Sequence, residues 1–304
     1  MELLYWFESI RTPVLDALMS LVTHLGEETF FMVAALYVFW CVDKRRGYYL
    51  LSVGFVGTLL NQWLKIACRV PRPWVRDPNF TIVESARAQA GGYSFPSGHT
   101  QSAVGWMGGV ARFTKRWWVR ALCIAAALAV AVSRMYLGVH TPADVGVSLV
   151  IALVLVFALY PLVESTLWFP KRIYLILAGM LALSAAFVGF VEFFPFPADV
   201  DGANLAEAVK NAYSMAGAVA GVLAVSVFDN RVLQFPNRAP WWGQAVKLAG
   251  GLALVVLVRS LLKEPLLALF GGHAAAHAVR YFLMVLTAGG VWPITFRFFE
   301  RYAR

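Results

Sequence analysis

Charged side chains are scarce in this sequence. Asp, Glu, Lys and Arg make up 14% of its 304 residues, where soluble globular domains carry about 25%. That scarcity, beside 60% hydrophobic residues, excludes a soluble globular enzyme and a disordered chain. Cysteine is nearly absent. The three present, Cys41, Cys68 and Cys123, lie in apolar runs and form no metal-like pair. That excludes a disulfide scaffold and leaves burial as their role. Carboxylates are the rarer charge, 17 against 26 Lys and Arg, and they gather nowhere in the clusters that metal-assisted chemistry uses. A cleavable leader is not expected either, because the chain starts MELLYWFE, without basic residues or a small-residue cleavage site.

What the sequence has in quantity is apolar stretches near the ~20-residue length of a membrane span. They predict an all-α, polytopic transmembrane helical bundle of about nine spans, at 26–42, 48–68, 99–113, 120–138, 144–165, 174–194, 210–228, 244–263 and 278–296. Residues 3–25 are interrupted by Glu8, Arg11, Pro13 and Asp16 and read as interfacial helices. Three regions follow: interfacial helices at 1–25, a core at 26–165, and further transmembrane helices at 166–304. In the last, GAVAG at 217–221 is a small-xxx-small pattern that lets helices approach closely.

The net charge of +9 invites a nucleic-acid partner, but its distribution argues for topology. The cations collect in alternate short loops: Lys44, Arg45 and Arg46; Lys115, Arg116 and Arg120; Lys171 and Arg172; Arg231 and Arg238; Arg297, Arg301 and Arg304. That is the positive-inside pattern of cytoplasmic loops. It sets the N-terminus outside and the C-terminus in the cytoplasm, and it leaves no reason to expect nucleic acid. Trp117, Trp118, Trp168, Trp241 and Trp242 flank the same loops, as interfacial anchors do.

Polar residues also crowd at the opposite, outer ends of several spans, where charge is expensive and marks function or finds a partner. Lys65 ends the second span, and Pro71 and Pro73 hold Arg72 in an extended turn. Ser97 is placed to cap the third span, and Gly98 lets backbone approach a ligand there. The free amides of that helix start suit a phosphate, with His99 beside them to carry a proton. Arg134 sits near the outer end of the fourth span. His140 and Asp144 straddle the start of the fifth, where the carboxylate is in range to hold one imidazole nitrogen and leave the other as base or nucleophile. Each cluster alone also fits helix capping or snorkelling. Together they form a metal-independent phosphoryl site built on cations and a histidine pair.

The motifs KIACRVPRP at 65–73, PSGH at 96–99 and SRMYLGVHTPAD at 133–144 resemble the three-part signature of the type 2 phosphatidic acid phosphatase superfamily, K-x6-RP, PSGH and SR-x5-H-x3-D, a family related to vanadium haloperoxidases. The likeness covers about half of the chain. It implies that Lys65, Arg72 and Arg134 bind phosphate oxygens, with Ser97 and the Gly98 amide completing the cradle. It further implies that His140, oriented by Asp144, attacks phosphorus, that His99 protonates the leaving oxygen, and that no cofactor is needed. Arg69 is outside the motif, and its role stays open. The hundred-odd residues after the third motif depart from small members of the family, so the lipid specificity common there does not automatically transfer.

The function that follows is an integral-membrane phosphatase acting on a membrane lipid substrate, a lipid phosphate or isoprenyl diphosphate, through a phosphohistidine. The expected location is the bacterial cytoplasmic membrane, with the active site outside. A soluble phosphoester such as a sugar phosphate, transfer to an acceptor other than water, and a lipid transporter with a vestigial site are the alternatives. Substrate head group, the role of the C-terminal helices and oligomeric state are not legible in the sequence.

Overall fold

In the computed structural model, which describes residues 1–164 and 171–303, the regular elements among the described residues are all helical. The chain runs α1 (Glu2–Ser9), α2 (Pro13–Thr23), α3 (Glu28–Tyr37), α4 (Lys44–Cys68), α5 (Pro73–Arg76), α6 (Gly98–Phe113) and α7 (Trp117–Tyr136). It continues with α8 (Pro142–Glu164), α9 (Lys171–Phe193), α10 (Gly202–Phe228), α11 (Trp241–Leu261), α12 (Lys263–Leu269), α13 (Ala275–Leu286) and α14 (Phe296–Glu300). The predicted boundary near 165, Trp168 and Arg304 lie outside the described residues.

Among the described residues, seven helices are long and apolar enough to cross a membrane. A bent pair, Pro13–Gly26 and Glu28–Val42 at 48°, makes an eighth when counted as one span. The difference from nine has a physical reason. The predicted span at 99–113 is α6, and its 16 residues rise only about 24 Å, short of the ~30 Å hydrocarbon core. The span predicted at 26–42 is continuous only from Glu28, because Glu27 is extended (φ −68°, ψ 146°) and breaks the helix.

The described chain divides into two compact units: residues 1–32, 56–160 and 201–204 form one, and 33–55, 161–200 and 205–304 the other. In the first unit the N-terminal helices pack on α7. Thr12 caps α2 by accepting from the Leu15 amide, with Pro13 preset at the first helical position. Arg11 donates through Nε and Nη2 to the Tyr136 carbonyl at 3.2 and 3.1 Å. The Tyr136 hydroxyl donates back to Asp16 Oδ1 at 2.7 Å. Trp106 Nε1, on α6, donates to the Leu25 carbonyl at 3.1 Å. Gly26 then lies so close that a methyl group there would stand 2.8 Å from the His99 carbonyl oxygen and 2.7 Å from Val130 Cγ1. Only glycine permits that approach.

In the second unit the predicted small-residue contact is present. A methyl group on Gly217 would stand 1.9 Å from the Ala278 carbonyl, and one on Gly221 would stand 2.8 Å from Val285 Cβ, so α10 and α13 touch backbone to backbone. Lys44 also proves to be more than a loop charge. Its ammonium donates to both oxygens of buried Asp229 at 2.9 and 2.7 Å.

Candidate active site

The site is assembled in the first unit, from helix ends. Helix α4 carries Lys65 in its last turn and ends at Cys68, after which Arg69 takes left-handed backbone (φ 51°) and turns the chain. Arg69 thus has a conformational position, and its side chain is not among those lining the site. Arg72 is extended (φ −65°, ψ 155°) ahead of Pro73 and caps α5, as the residue before a proline must be biased to do. Its guanidinium is nearly fully buried and is gripped by carbonyls: Nε donates to Gly92 at 3.0 Å, Nη2 to Gly91 at 2.6 Å and Nη1 to Val139 at 2.9 Å. Lys65 Nζ donates to the Tyr93 carbonyl at 2.6 Å. The segment 91–93 therefore sets both cations with main-chain oxygens, which hold them without neutralising them.

Ser97 caps α6 as the sequence predicts, its hydroxyl accepting from the Thr100 amide and hydroxyl at 3.4 and 3.0 Å. The first-turn amides of Gly98 and His99 have no intrahelical acceptor. A methyl group on Gly98 would meet only Asn61 Oδ1, at 3.7 Å. The fold does not require glycine there; the open space beside it does. His99 Nε2 is buried without a hydrogen-bond partner among the described residues.

His140 presents a defined tautomer. Arg72 Nη1 lies 3.0 Å from His140 Nε2, and a guanidinium only donates, so Nε2 holds a lone pair and the proton sits on Nδ1. That Nδ1 is 3.6 Å from Asp144 Oδ2, longer than a hydrogen bond, so the direct carboxylate–imidazole bond predicted from the sequence is a near contact instead. Asp144 is occupied elsewhere. Its Oδ2 accepts from the Ser94 hydroxyl at 2.6 Å and from the Thr141 amide at 2.7 Å, while its own amide donates to Thr141 Oγ1 at 3.3 Å. The Thr141–Asp144 exchange is a capping box at the start of α8. It fixes the carboxylate directly beside the ring.

Burial first, then the charges of Arg72, Arg134, Lys65 and His99, push the His140 imidazole well below its ordinary range. Both effects favour the neutral ring.

Lys65, Arg72, Gly98, His99 and His140 line one cavity of about 310 Å³. Ser97, Arg134 and Asp144 form a fully buried layer that is not part of its lining. Arg134 is the surprise among them. Its Nη1 donates to Thr23 Oγ1 at 2.8 Å, while Nε and Nη2 have no hydrogen-bond partner among the described residues.

Several positioning residues escaped the sequence pattern. Thr23 and Ser94 are ordinary hydroxyls with no motif around them, and the carbonyls of 91–93 are main-chain groups that no side-chain pattern reports. Glu27 and Glu28 also line the cavity, from a stretch that reads in sequence as the entry to a span.

Residues 45–168 match the model of the PAP2 superfamily, and residues 213–304 match that of the PAP2 superfamily phosphatase transmembrane extension. No curated protein and no solved structure matches the chain. The first match spans all three motifs, from Lys65 to Asp144, and the second takes in α13 and the C-terminal part of α10, which meet at Gly217. The chain belongs to the PAP2 superfamily, as a membrane phosphatase domain followed by that superfamily's transmembrane extension.

Proposed function

We propose that the protein hydrolyses a lipid-borne phosphoester at the extracytoplasmic face of its membrane through a phosphohistidine at His140. The observation that carries the reading is the Arg72–His140 contact, which puts the lone pair on Nε2 in a cavity lined by cations; substrate phosphate takes the Arg72 donor and frees that pair to attack. The substrate phosphate sits against Lys65, Arg72 and the amides at the start of α6, where charge and helix dipole favour an anion. Arg134 contributes its two unpartnered nitrogens from behind. His140 Nε2 attacks phosphorus while the bond to the leaving oxygen breaks, and His99 gives that oxygen a proton. Burial and the charges of Arg134, Arg72 and Lys65 hold His99 down to about 3 before substrate binds. It takes up this proton from solvent when the phosphate dianion offsets those cations. Water, losing a proton to His99, then attacks the phosphohistidine and releases inorganic phosphate.

The assignment to the extracytoplasmic face rests on charge. Helix α4 begins at Lys44, Arg45 and Arg46 and ends near Lys65. Helix α7 follows Arg116 and carries Arg134 in its last turn. In both, the basic end is opposite the site, which the positive-inside rule sets outside.

The test is a quenched single turnover with labelled substrate on the purified protein. Label should be trapped as an acid-labile adduct in the wild type. His140→Ala should show neither adduct nor phosphate release; turnover retained in that variant sinks the assigned nucleophile.

A further inference from the structure

One buried cation has no part in the catalytic cavity. Arg280 lies in the second turn of α13, inside the apolar segment Ala275–Glu300 that is long enough to cross a membrane. It is only 5% exposed, and its Nε is buried with no hydrogen-bond partner among the described residues. The contact it does make is with a ring: its guanidinium carbon stands 5.3 Å from the Tyr281 centroid. A guanidinium cannot shed its charge, and at membrane depth a charge is expensive unless an acceptor satisfies it. The described residues supply none.

Other cations gather at the same end of the second unit. Helices α10 and α13 run side by side in one direction, since Gly217 faces Ala278 and Gly221 faces Phe282 and Val285. Lys210 is exposed about two turns before Gly217. Its charge, with those of Arg280 and Lys263, acts on His277. Glu192, Glu207 and Glu264 are the exposed carboxylates here. The Tyr213 hydroxyl donates to Glu192, and Glu264 lies 3.1 Å from Lys263. Among the described residues, none of the three forms an ion pair with Lys210 or Arg280. These cations lie at the end of α10 and α13 opposite Arg231 and Arg297, where topology gives no reason for positive charge.

We infer that Arg280, with Lys210 and His277 near it, binds a phosphate-bearing anion in the transmembrane extension. None of these residues lines the catalytic cavity, so this is a second site. Phosphate matches the demand: its oxygens accept the paired donors of a guanidinium, and its charge supplies the counter-ion that the helices lack. The source is either the head group of an anionic membrane lipid, as basic pockets between transmembrane helices hold, or free phosphate. The inference does not depend on the hydrolytic reading.

Thermal unfolding of the purified full chain in a nonionic detergent tests it, with dioleoylphosphatidylglycerol, dioleoylglycerol and inorganic phosphate each titrated in. In the wild type, the phospholipid or inorganic phosphate should raise the unfolding temperature saturably, and the compound that acts identifies the source. Dioleoylglycerol has the same tails and no phosphate, and should not. Arg280→Met should raise the half-saturating concentration at least about tenfold, the worth of a charge-assisted hydrogen bond. Lys210→Gln, at an exposed position that keeps the fold intact should Arg280→Met not fold, should raise it about threefold. Lys65→Gln alters the catalytic cavity and should leave this response in place. A wild-type response in both Arg280→Met and Lys210→Gln, an equal response to dioleoylglycerol, loss in Lys65→Gln alone, or no response to either phosphate compound overturns the inference.

Discussion

Arg72 Nη1 stands 3.0 Å from His140 Nε2, and the same nitrogen donates to the Val139 carbonyl at 2.9 Å. One guanidinium group thus fixes the tautomer of the proposed nucleophile and joins two motifs that are 68 positions apart. Arg72→Lys keeps the charge but loses the planar fork that reaches Gly91, Gly92 and Val139 together. We predict a fall in kcat of about 10²–10³, the scale of losing a preorganised donor in a buried site, measured by steady-state phosphate release.

Ser94 acts through Asp144. Its hydroxyl donates to Asp144 Oδ2 at 2.6 Å, and both residues are buried. Ser94→Ala should loosen the carboxylate and with it the ring that Asp144 faces. The expected result is a drop in kcat of about tenfold with KM little changed, a split that distinguishes positioning from substrate binding.

Thr23 supplies the hydrogen bond that Arg134 makes, Nη1 to Oγ1 at 2.8 Å. Thr23→Val keeps the shape and leaves a fully buried guanidinium without it. We expect a loss of about 1–3 kcal/mol in thermal unfolding in detergent, with Thr23→Ser restoring the wild-type value.

Gly98→Ala separates fold from function. The added methyl group would meet protein only at Asn61 Oδ1, 3.7 Å away, so the unfolding temperature should stay at the wild-type value. Because Gly98 lines the cavity, the methyl group should still exclude the phosphate, raising KM at least about tenfold.

The depressed His140 gives a pH dependence with a definite sign. In the folded protein the ring stays neutral well below its ordinary value, while in the unfolded chain it binds a proton at about 6.5. The unfolded state therefore gains protons first on acidification, and stability present above 6.5 is lost as pH falls through it. Wild type should lose more thermal stability between pH 7.5 and 5.5 than His140→Gln, compared by unfolding scans in the same detergent.

Local chemistry was legible without coordinates. Ser97 as a cap, Thr141 and Asp144 at the start of α8, the extended Arg72 before Pro73 and the close glycines of α10 all follow from rules spanning a few residues. Span counting was less secure: the short apolar stretch 99–113 reads as a span, although α6 is only 16 residues long, and hydropathy does not reveal that Glu27 interrupts the helix before α3. Three cations read in the sequence as one candidate phosphate-binding set. Their division, with Lys65 and Arg72 at the cavity and Arg134 buried behind it, was not legible.

By itself, then, the sequence determined that this is a helical membrane chain and which motif residues are candidates for its chemistry, because periodicity, capping and charge placement act over one or two turns. Only tertiary structure decided what those residues touch. Arg134 meets Thr23 from 111 positions away, and Gly26 packs against the His99 backbone. Contacts of that kind arise from how helices pack, and no local pattern in the chain records them.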